Sequence, residues 1–411
     1  MLEFMRETEH LWDRLARAEK PVVLYGTGDG GDKIIAELER RDIPLDGVYV
    51  SDDFARGQEF HGITVGRYSD LVAEPGRYIM LIAFASELPE LLERFRELDG
   101  LQETYAPHVP IFPGDETVSP AWLDKYRAPL EEVYGKLGDD FSRKVFAGIL
   151  DYKLSGKLHY LEEVVSLRRE DLESLFAFGP GESYLDLGAY DGDTVEEFLS
   201  LVPRDGEGHP LYRRIAALEP DTRNFGKLEE RMDGLRQAGE ERMAEDRRGR
   251  EASEESDASE PPENGRISCI HAGIWSEPGI LRFNRTGGRQ ASFFSTRPEG
   301  EDPSAVPRRK RERWTEVPVV SVDSLREKMT ENTFSYIKVD VEGAEREMLE
   351  GAEKTLERDC PKLLLAAYHH DNDIFRLPLQ LWSLQPAYRI FLRKHPYVPA
   401  WELNFFCRRE D

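Results

Sequence analysis

The strongest chemical signal in the sequence is a glycine-rich turn in the second half of the chain. Residues 184–193, Tyr-Leu-Asp-Leu-Gly-Ala-Tyr-Asp-Gly-Asp, predict a strand, a turn and the start of a helix. Gly188 and Gly192 allow the backbone to approach a ligand closely, and amides at the helix start near Asp193 can hold a carboxylate. Asp186, at the end of the strand, can receive an ammonium group. A ligand with both charges is an amino acid, which points to the methionine part of S-adenosylmethionine.

Three further acidic residues stand at the ends of two predicted strands. The strand after the turn ends at Glu219, where an acid can accept both hydroxyls of a ribose, as in dinucleotide folds. A later strand delivers Asp340 and Glu342 to the same edge of the sheet. Glycine-rich turns often serve tight packing alone, and acids at a helix start also favour the helix dipole. The ordered combination nevertheless predicts a cofactor site, and we expect Gly188→Val to block it without unfolding the protein.

These motifs resemble those of the FkbM family of S-adenosylmethionine-dependent methyltransferases. The segments that carry the resemblance are 186–192, 219–220, 322–325 and, above all, Ile-Lys-Val-Asp-Val-Glu-Gly-Ala-Glu at 337–345. The resemblance extends over residues 180–408 and implies a seven-stranded methyltransferase sheet with one antiparallel strand. It implies methyl transfer to a hydroxyl oxygen on a small molecule or a sugar. It also implies that Ala272, after the strand that follows Glu219, lies on the adenine side of the cofactor.

Two adjacent histidines, His369 and His370, follow a predicted strand at its carboxyl end. An alcohol loses a proton as it attacks a methyl group, and histidine is suited to accept that proton near neutral pH. We expect His370 to be the base, because Asp371 and Asp373 could orient it, with His369 as the second candidate. A purely structural pair is the alternative.

Asp340 is the third catalytic candidate, because its predicted position at a strand end faces the methyl donor. A histidine could instead join Asp340 and Glu342 around a divalent ion. No spacing in the sequence requires a metal, so no metal site is predicted.

The amino-terminal region carries a second glycine-rich turn. Gly26, Gly28 and Gly31 lie between a predicted strand and a predicted helix, and Asp52 follows about twenty residues later, the spacing of a dinucleotide fingerprint. The region resembles Rossmann-like domains fused ahead of some FkbM-type methyltransferases and of sugar-modifying enzymes. This resemblance implies that a nucleotide or a nucleotide sugar binds there. No Tyr-x-x-x-Lys or Cys–His arrangement accompanies the turn, so binding is favoured over hydride transfer, with a purely structural role as the alternative.

Alternating strands and helices must position both turns, which predicts an α/β protein. We expect a Rossmann-like parallel sheet in a domain at 1–110, a helical connector at 111–180, and a seven-stranded class I methyltransferase sheet in an FkbM-like domain at 181–411. Residues 237–264 nearly lack large apolar side chains and predict a flexible charged insertion. The basic cluster at 307–313 predicts a solvated loop, with phosphate binding as the alternative.

The composition narrows the function further. The 411 residues contain 55 Lys and Arg against 80 Asp and Glu, a net charge of −25 that disfavours binding to nucleic acid or anionic membranes. No apolar run reaches the length of a membrane span, the amino-terminal segment is too charged for a secretory signal, and the 3 cysteines lie far apart. We therefore expect a cytoplasmic methyltransferase. A dinucleotide-dependent oxidoreductase and a non-catalytic nucleotide or nucleotide-sugar sensor are the alternatives.

Overall fold

The structure is a computed structural model that describes residues 2–251, 266–284, 293–294, 314–328 and 333–410. The internal contacts divide the chain into two compact units. The first unit comprises Met1–Arg168, Ala367–Pro378 and Ile390–Asn404, and the second comprises Arg169–Ala366, Leu379–Arg389 and Phe405–Asp411. The helices expected as a connector are therefore shared between the units, and the domain boundaries at 110 and 180 stay a prediction.

The first unit is built on a six-stranded sheet. Its strands are β1 (Val22–Tyr25), β2 (Gly47–Val50), β3 (Glu59–Phe60), β4 (Ile63–Arg67), β5 (Ile79–Ile82) and β6 (Glu103–Tyr105). The order is β3-β4-β2-β1-β5-β6, and every pair is parallel except β3 with β4. All four residues of β1 are buried between its parallel neighbours, which explains the continuous apolar run in the sequence. The expected parallel sheet in this part of the chain is confirmed.

One helix precedes these strands, others lie between and after them, and the last of the nine extends beyond the end of the first segment at Arg168. They are α1 (Leu11–Leu15), α2 (Asp29–Arg40), α3 (Tyr68–Val72), α4 (Pro89–Leu101), α5 (Pro120–Lys125), α6 (Arg127–Lys136), α7 (Asp140–Ser155), α8 (His159–Glu162) and α9 (Arg168–Asp171). Helix α2 buries Ile34, Ile35 and Leu38 in the core of the sheet, as their helical spacing predicts. Helix α7 begins where Asp139 accepts the N–H of Ser142 at 2.7 Å.

The remaining strands form two further sheets. They are β7 (Glu182–Leu187), β8 (Tyr212–Leu218), β9 (Arg266–Ile270), β10 (Gly273–Ile274), β11 (Gly279–Asn284), β12 (Phe293–Phe294), β13 (Trp314–Val320), β14 (Tyr336–Val339), β15 (Lys362–Ala366), β16 (Tyr388–Lys394) and β17 (Leu403–Arg409). Seven of them have the order β16-β17-β15-β14-β7-β8-β9, in which β15 through β9 pair in parallel. The expected seven-stranded sheet is confirmed. The sequence patterns do not predict the small sheet β10-β13-β11-β12.

The later helices are α10 (Asp193–Leu201), α11 (Thr222–Glu251), α12 (Val322–Lys328), α13 (Glu345–Glu350), α14 (Glu353–Asp359) and α15 (Asp373–Leu384). Helix α11 continues through the first part of the segment expected as a flexible insertion. Residues 252–264 of that segment, and the basic cluster at 307–313, lie outside the described residues. Among the helices that the structure describes, none is long and apolar enough to cross a membrane.

The contact between α2 and the end of β5 can be tested at Gly30, where a Cβ atom would overlap the carbonyl oxygen of Ala83. Gly30→Ala should push α2 from the sheet and lower the free energy of unfolding by about 1–3 kcal/mol. Gly100→Ala in α4 is the matched control, because open space surrounds that glycine and alanine should stabilise the helix by up to about 1 kcal/mol. Urea denaturation measures both, and equal effects of the two substitutions would contradict the packing described.

Candidate active site

The turn after β7 is built on two glycines in the left-handed region. Gly188 has φ 79° and Gly192, which precedes α10, has φ 90°, conformations that favour glycine. A Cβ atom at Gly188 would overlap the carbonyl oxygen of Asp340. Gly188 thus allows β7 to turn against the end of β14. We therefore expect a valine at position 188 to disturb the fold in addition to blocking a ligand. This differs from the prediction made from the sequence, in which Gly188→Val blocks the cofactor without unfolding the protein.

A buried ion pair joins β7 to β14. Asp186 is fully buried, and its Oδ1 lies 3.3 Å from Nζ of Lys338, which is only 6% exposed. Lys338 Nζ also donates to the carbonyl oxygen of Gly188 at 2.6 Å, and Thr194 Oγ1 donates to Asp186 Oδ2 at 2.5 Å. The pair therefore fixes both the glycine turn and the first residues of α10.

Sequence reasoning did not single out Lys338, although a signal for it exists. A lysine inside the otherwise apolar strand β14 requires a buried partner. The parallel register of β14 with β7 places Lys338 directly opposite Asp186, so the missing information was which strand lies beside β14.

Glu219 follows β8 and is 6% exposed. Its Oε2 accepts the N–H of Tyr190 at 2.9 Å, and its Oε1 accepts the N–H of Asp221 at 2.8 Å. Burial raises the pKa of this carboxyl to about 7, although the two backbone hydrogen bonds oppose the rise. Each oxygen keeps a lone pair, so the carboxyl is oriented and can accept two further donors.

Asp193 lies at the start of a helix and Ala272 just after a strand, the positions in the secondary structure that the sequence predicts for them. Asp193 is the exposed first residue of α10. Ala272 is buried just beyond β9, and its N–H donates to the carbonyl oxygen of Ile270 at 3.0 Å. Leu218 pairs with Ile270 in the register of β8 and β9. Glu219 and Ala272 therefore leave the sheet at the same edge.

Asp340 leaves β14 beside the glycine turn. Its N–H donates to the carbonyl oxygen of Leu187 at 3.1 Å, and its side chain is half-buried. Glu342 and Gly343 follow with φ 53° and 95°, so the chain turns sharply here. A non-glycine residue with positive φ is uncommon and often marks a functional turn. The structure thus brings Asp186, Gly188 and Asp340 together at one edge of the sheet.

His370 belongs to the first unit, where its ring contacts an acid that sequence reasoning missed. Its Nδ1 lies 2.7 Å from Oδ2 of Asp115, and its ring packs against Phe112 with 4.9 Å between centroids. Asp373 accepts the backbone N–H of His370 at 3.0 Å. His369 is 2% exposed.

Asp371, expected to orient His370, has other partners. His108 Nε2 lies 2.7 Å from one of its carboxylate oxygens, Lys153 Nζ donates to it at 2.6 Å, and the N–H of Val118 donates at 2.9 Å. Burial by itself raises the pKa of Asp371, but the charges of His108 and Lys153 outweigh burial and hold the pKa well below its ordinary range. Asp371 is therefore part of the buried framework of the first unit, and the expectation for it is wrong.

The amino-terminal glycine turn opens onto a pocket of about 570 Å³ within the first unit. Gly26 lines this pocket with φ 116°, Gly28 precedes α2 with φ 100°, and Gly31 is buried in α2. Asp52 accepts the N–H of Ser69 at 3.0 Å and is not among the described residues that line the pocket. The structure thus brings Gly26 to the pocket and directs Asp52 elsewhere.

The buried ion pair of the second unit can be tested by removing its charges one at a time. Lys338→Met leaves the buried Asp186 carboxylate without its cation, so the free energy of unfolding should fall by about 3–5 kcal/mol. Adding Asp186→Asn removes the stranded charge and should recover part of the loss. Urea denaturation of Lys338→Met, Asp186→Asn and the double variant measures the coupling, and fully additive losses would show that the two side chains do not stabilise each other.

Comparison with known proteins identifies the second half of the chain. A family model described as "Methyltransferase FkbM domain" matches residues 186–399, just over half of the sequence. The matched segment contains Asp186, Glu219 and Asp340, and Asp115 lies outside it. Among proteins of curated function, none matches the sequence significantly.

Solved structures share the architecture at low sequence identity. A methyltransferase FkbM from Methylobacillus flagellatus KT has a TM-score of 0.63 and 17% identity, and the alignment covers 96% of this chain and 92% of that chain. An rRNA methylase from Streptococcus thermophilus has a TM-score of 0.32 and 10% identity over 59% of this chain and 94% of that chain, too weak a likeness to carry an argument. The structural likeness shows the fold alone. The family match, which spans more than half of the chain, shows that the protein belongs to the FkbM methyltransferase family.

Proposed function

We propose that the protein is an S-adenosylmethionine-dependent methyltransferase that acts on a hydroxyl oxygen of a small molecule or a sugar. The observation that carries this proposal is the state of Glu219. Its carboxyl is buried, is oriented by two backbone N–H groups, and forms no ion pair with any described residue. A buried carboxylate without a cationic partner is costly, and further hydrogen bonds from a ligand reduce that cost. The two vicinal hydroxyls of a ribose supply the donors that its remaining lone pairs require.

The turn after β7 suits the amino-acid end of the same cofactor. Asp186 Oδ1 is buried without a hydrogen bond, although Lys338 lies at ion-pair distance. This oxygen can accept a ligand ammonium group, and Lys338 prevents the accumulation of uncompensated negative charge. Gly192 and the N–H groups at the start of α10, near Asp193, can bind the ligand carboxylate. The residues present therefore fit both charges of a methionine moiety.

Asp340 and Ala272 complete the proposed cofactor site. The small buried side chain of Ala272 leaves space for an adenine ring at the edge that Glu219 also occupies. The half-buried carboxylate of Asp340, beside Gly188, favours a cationic centre. S-adenosylmethionine supplies an electrophilic methyl group on positively charged sulfur when it is bound. Positioning of this group against the acceptor oxygen by the protein would account for much of the expected rate enhancement.

We assign the removal of the acceptor's proton to His370. The tautomer in which Nδ1–H donates to Asp115 leaves the proton-accepting lone pair on Nε2. Asp115 then holds the ring in this orientation and stabilises the imidazolium that forms, as the acid does in a Ser-His-Asp triad. His369 and Asp340 are the second and third candidates for the base.

We also propose that the first unit binds a nucleotide or a nucleotide sugar. Gly26 and Gly28 supply backbone with positive φ at the carboxyl end of β1, and the pocket beside Gly26 supplies space for a ligand. A dinucleotide-dependent oxidoreductase has less support, because Asp52, the acid expected to hold a ribose, contacts Ser69 instead.

Glu219 should make both stability and ligand binding depend on pH. Folding raises its pKa from 4.5 to about 7, so between these values the folded protein binds more protons than the unfolded chain. Its contribution to stability is therefore present at low pH and is lost as the pH rises through about 7. The ionised carboxylate accepts ribose hydroxyls best, so the affinity for S-adenosylhomocysteine should increase over the same rise in pH.

Glu219→Gln should abolish both trends and weaken S-adenosylhomocysteine binding at least about tenfold, since it removes charge-assisted hydrogen bonds. Glu230→Gln, at an exposed acid on α11, is the matched control and should keep both trends. Thermal melts across the pH range and isothermal titration calorimetry measure the two effects. Wild-type affinity in Glu219→Gln would refute the ribose assignment.

Once an acceptor is identified, His370→Gln should lower turnover by about 10²–10⁴-fold while S-adenosylhomocysteine binding stays near wild type. Asp115→Asn should cost less, and the acidic limb of its pH–rate profile should move to lower pH because the carboxylate favours the protonated ring. Asp140→Asn, at an exposed helix position, is the control. If His370→Gln and His369→Gln both keep near-full turnover, the histidines are structural and Asp340 or water takes the proton.

A further inference from the structure

The pocket of the first unit lies where the strand order of its sheet reverses. Tyr25 and Gly26 at the end of β1, Val50 and Ser51 at the end of β2, and Phe84 beyond β5 line it. Ligands of open parallel sheets bind at this switch point, outside the carboxyl ends of the strands. The volume of about 570 Å³ falls within the range of small-molecule sites.

Two phenylalanine side chains give the pocket an apolar surface. Phe54, on the short turn after β2, lines the pocket although 66% of its side chain is exposed. Phe84 lines it from the side of β5. A large aromatic side chain left in water beside a cleft offers a face on which a planar ring can stack.

Positive charge accompanies these rings. Arg56 lines the pocket, and Arg94 lies behind it, where its Nη1 donates to Ser51 Oγ at 2.8 Å. Neither guanidinium forms an ion pair with a described residue, in a chain whose net charge is −25. Two arginines without an ion-pair partner among the described residues create a local site for an anion, although the charge of Glu97 also acts on Arg94. Guanidinium groups are well suited to phosphate.

The acid of the dinucleotide fingerprint does not serve this pocket. Asp52 is exposed and accepts the N–H of Ser69, which holds the pKa of this carboxyl below its ordinary value. Ser51 occupies the end of β2 instead, with its Oγ 3.0 Å from the hydroxyl oxygen of Tyr25. The pocket thus presents hydroxyls and arginine where a site for an unphosphorylated ribose presents a carboxylate.

Phe84 also limits the length of the ligand. A Cβ atom on Gly26 would lie 2.5 Å from Cδ1 of Phe84, so the ring rests directly on the first glycine of the turn. A dinucleotide crosses the sheet at this point, between β1 and its neighbour on the far side. The Phe84 ring occupies that crossing, which leaves room for one nucleotide on the side of β2.

We infer that this pocket binds a nucleoside phosphate rather than a dinucleotide, either free or as the nucleotide part of a nucleotide sugar, with its phosphate on Arg56 and its base on Phe54. The inference rests on the proposed nucleotide role of the first unit and is independent of the proposed methyl transfer.

Isothermal titration calorimetry on the full chain tests the inference with ADP, UDP, UDP-glucose and NAD⁺. We expect ADP, UDP or UDP-glucose to bind more tightly than NAD⁺, and the comparison of UDP with UDP-glucose separates a free nucleotide from a nucleotide sugar. Arg56→Gln should weaken that binding at least about tenfold. Arg40→Gln changes the net charge equally on the exposed face of α2 and should bind as wild type does. Phe54→Ala should weaken binding as well.

Three results would overturn the inference: no binding of any of the nucleotides, wild-type affinity in Arg56→Gln, or preferential NAD⁺ binding that Asp52→Asn abolishes. Because Arg56 and Phe54 are exposed, their replacement should not unfold the protein. S-adenosylhomocysteine titrated into the same samples reports the second unit separately. If S-adenosylhomocysteine binds and no nucleotide does, the inference is refuted and the methyltransferase proposal stands. If a nucleotide binds and S-adenosylhomocysteine does not, the methyltransferase proposal is refuted and the inference stands.

Discussion

The second unit depends on the close approach of β7 and β14. With no side chain at Gly188, the chain passes against the carbonyl of Asp340, just after β14, and the Asp186–Lys338 pair joins the same two strands. A buried ion pair is seldom more stabilising than well-packed apolar side chains. Here the ion pair instead specifies the register of the two strands, because a shift of one residue would bury both charges without a partner. One register therefore places the glycine turn, the start of α10 and Asp340 at a single edge of the sheet.

That edge holds two carboxyl groups in different electrostatic states. Asp186 has a lysine beside it and a hydroxyl donor in Thr194. Among the residues that the structure describes, only backbone N–H groups donate to Glu219, and burial raises its pKa to about 7. In many active sites two acidic side chains have different roles because their surroundings shift their pKa values differently. The charged Asp186 suits a cationic ligand group, and the weakly acidic Glu219 suits neutral hydroxyls.

The sequence predicts those features of the fold that depend on residues close together in the chain. The apolar runs of β1 and β7, and the glycines that follow them, predict strand, turn and helix because backbone conformation depends on neighbouring residues. Contacts between distant residues carry no such signal. Asp115 lies 255 positions from His370, and Asp371, which is adjacent in sequence, instead contacts Lys153. For the same reason, the spacing of Gly26 and Asp52 fits a fingerprint, although Gly26 lines the pocket and Asp52 contacts Ser69.

The first unit is assembled from segments that lie far apart in the chain, and this determines when it can be completed during synthesis. Lys153 and His108 emerge from the ribosome early, yet the carboxylate that neutralises them belongs to Asp371, 218 positions after Lys153. Residues 390–404 also belong to this unit. Sheet β1–β6 consists of consecutive segments and can pair as soon as they have been made, but the helical part of the unit is complete only after residues 367–378 and 390–404 have been made. The unit whose synthesis begins first is therefore completed only after residues 169–366 of the second unit have been made.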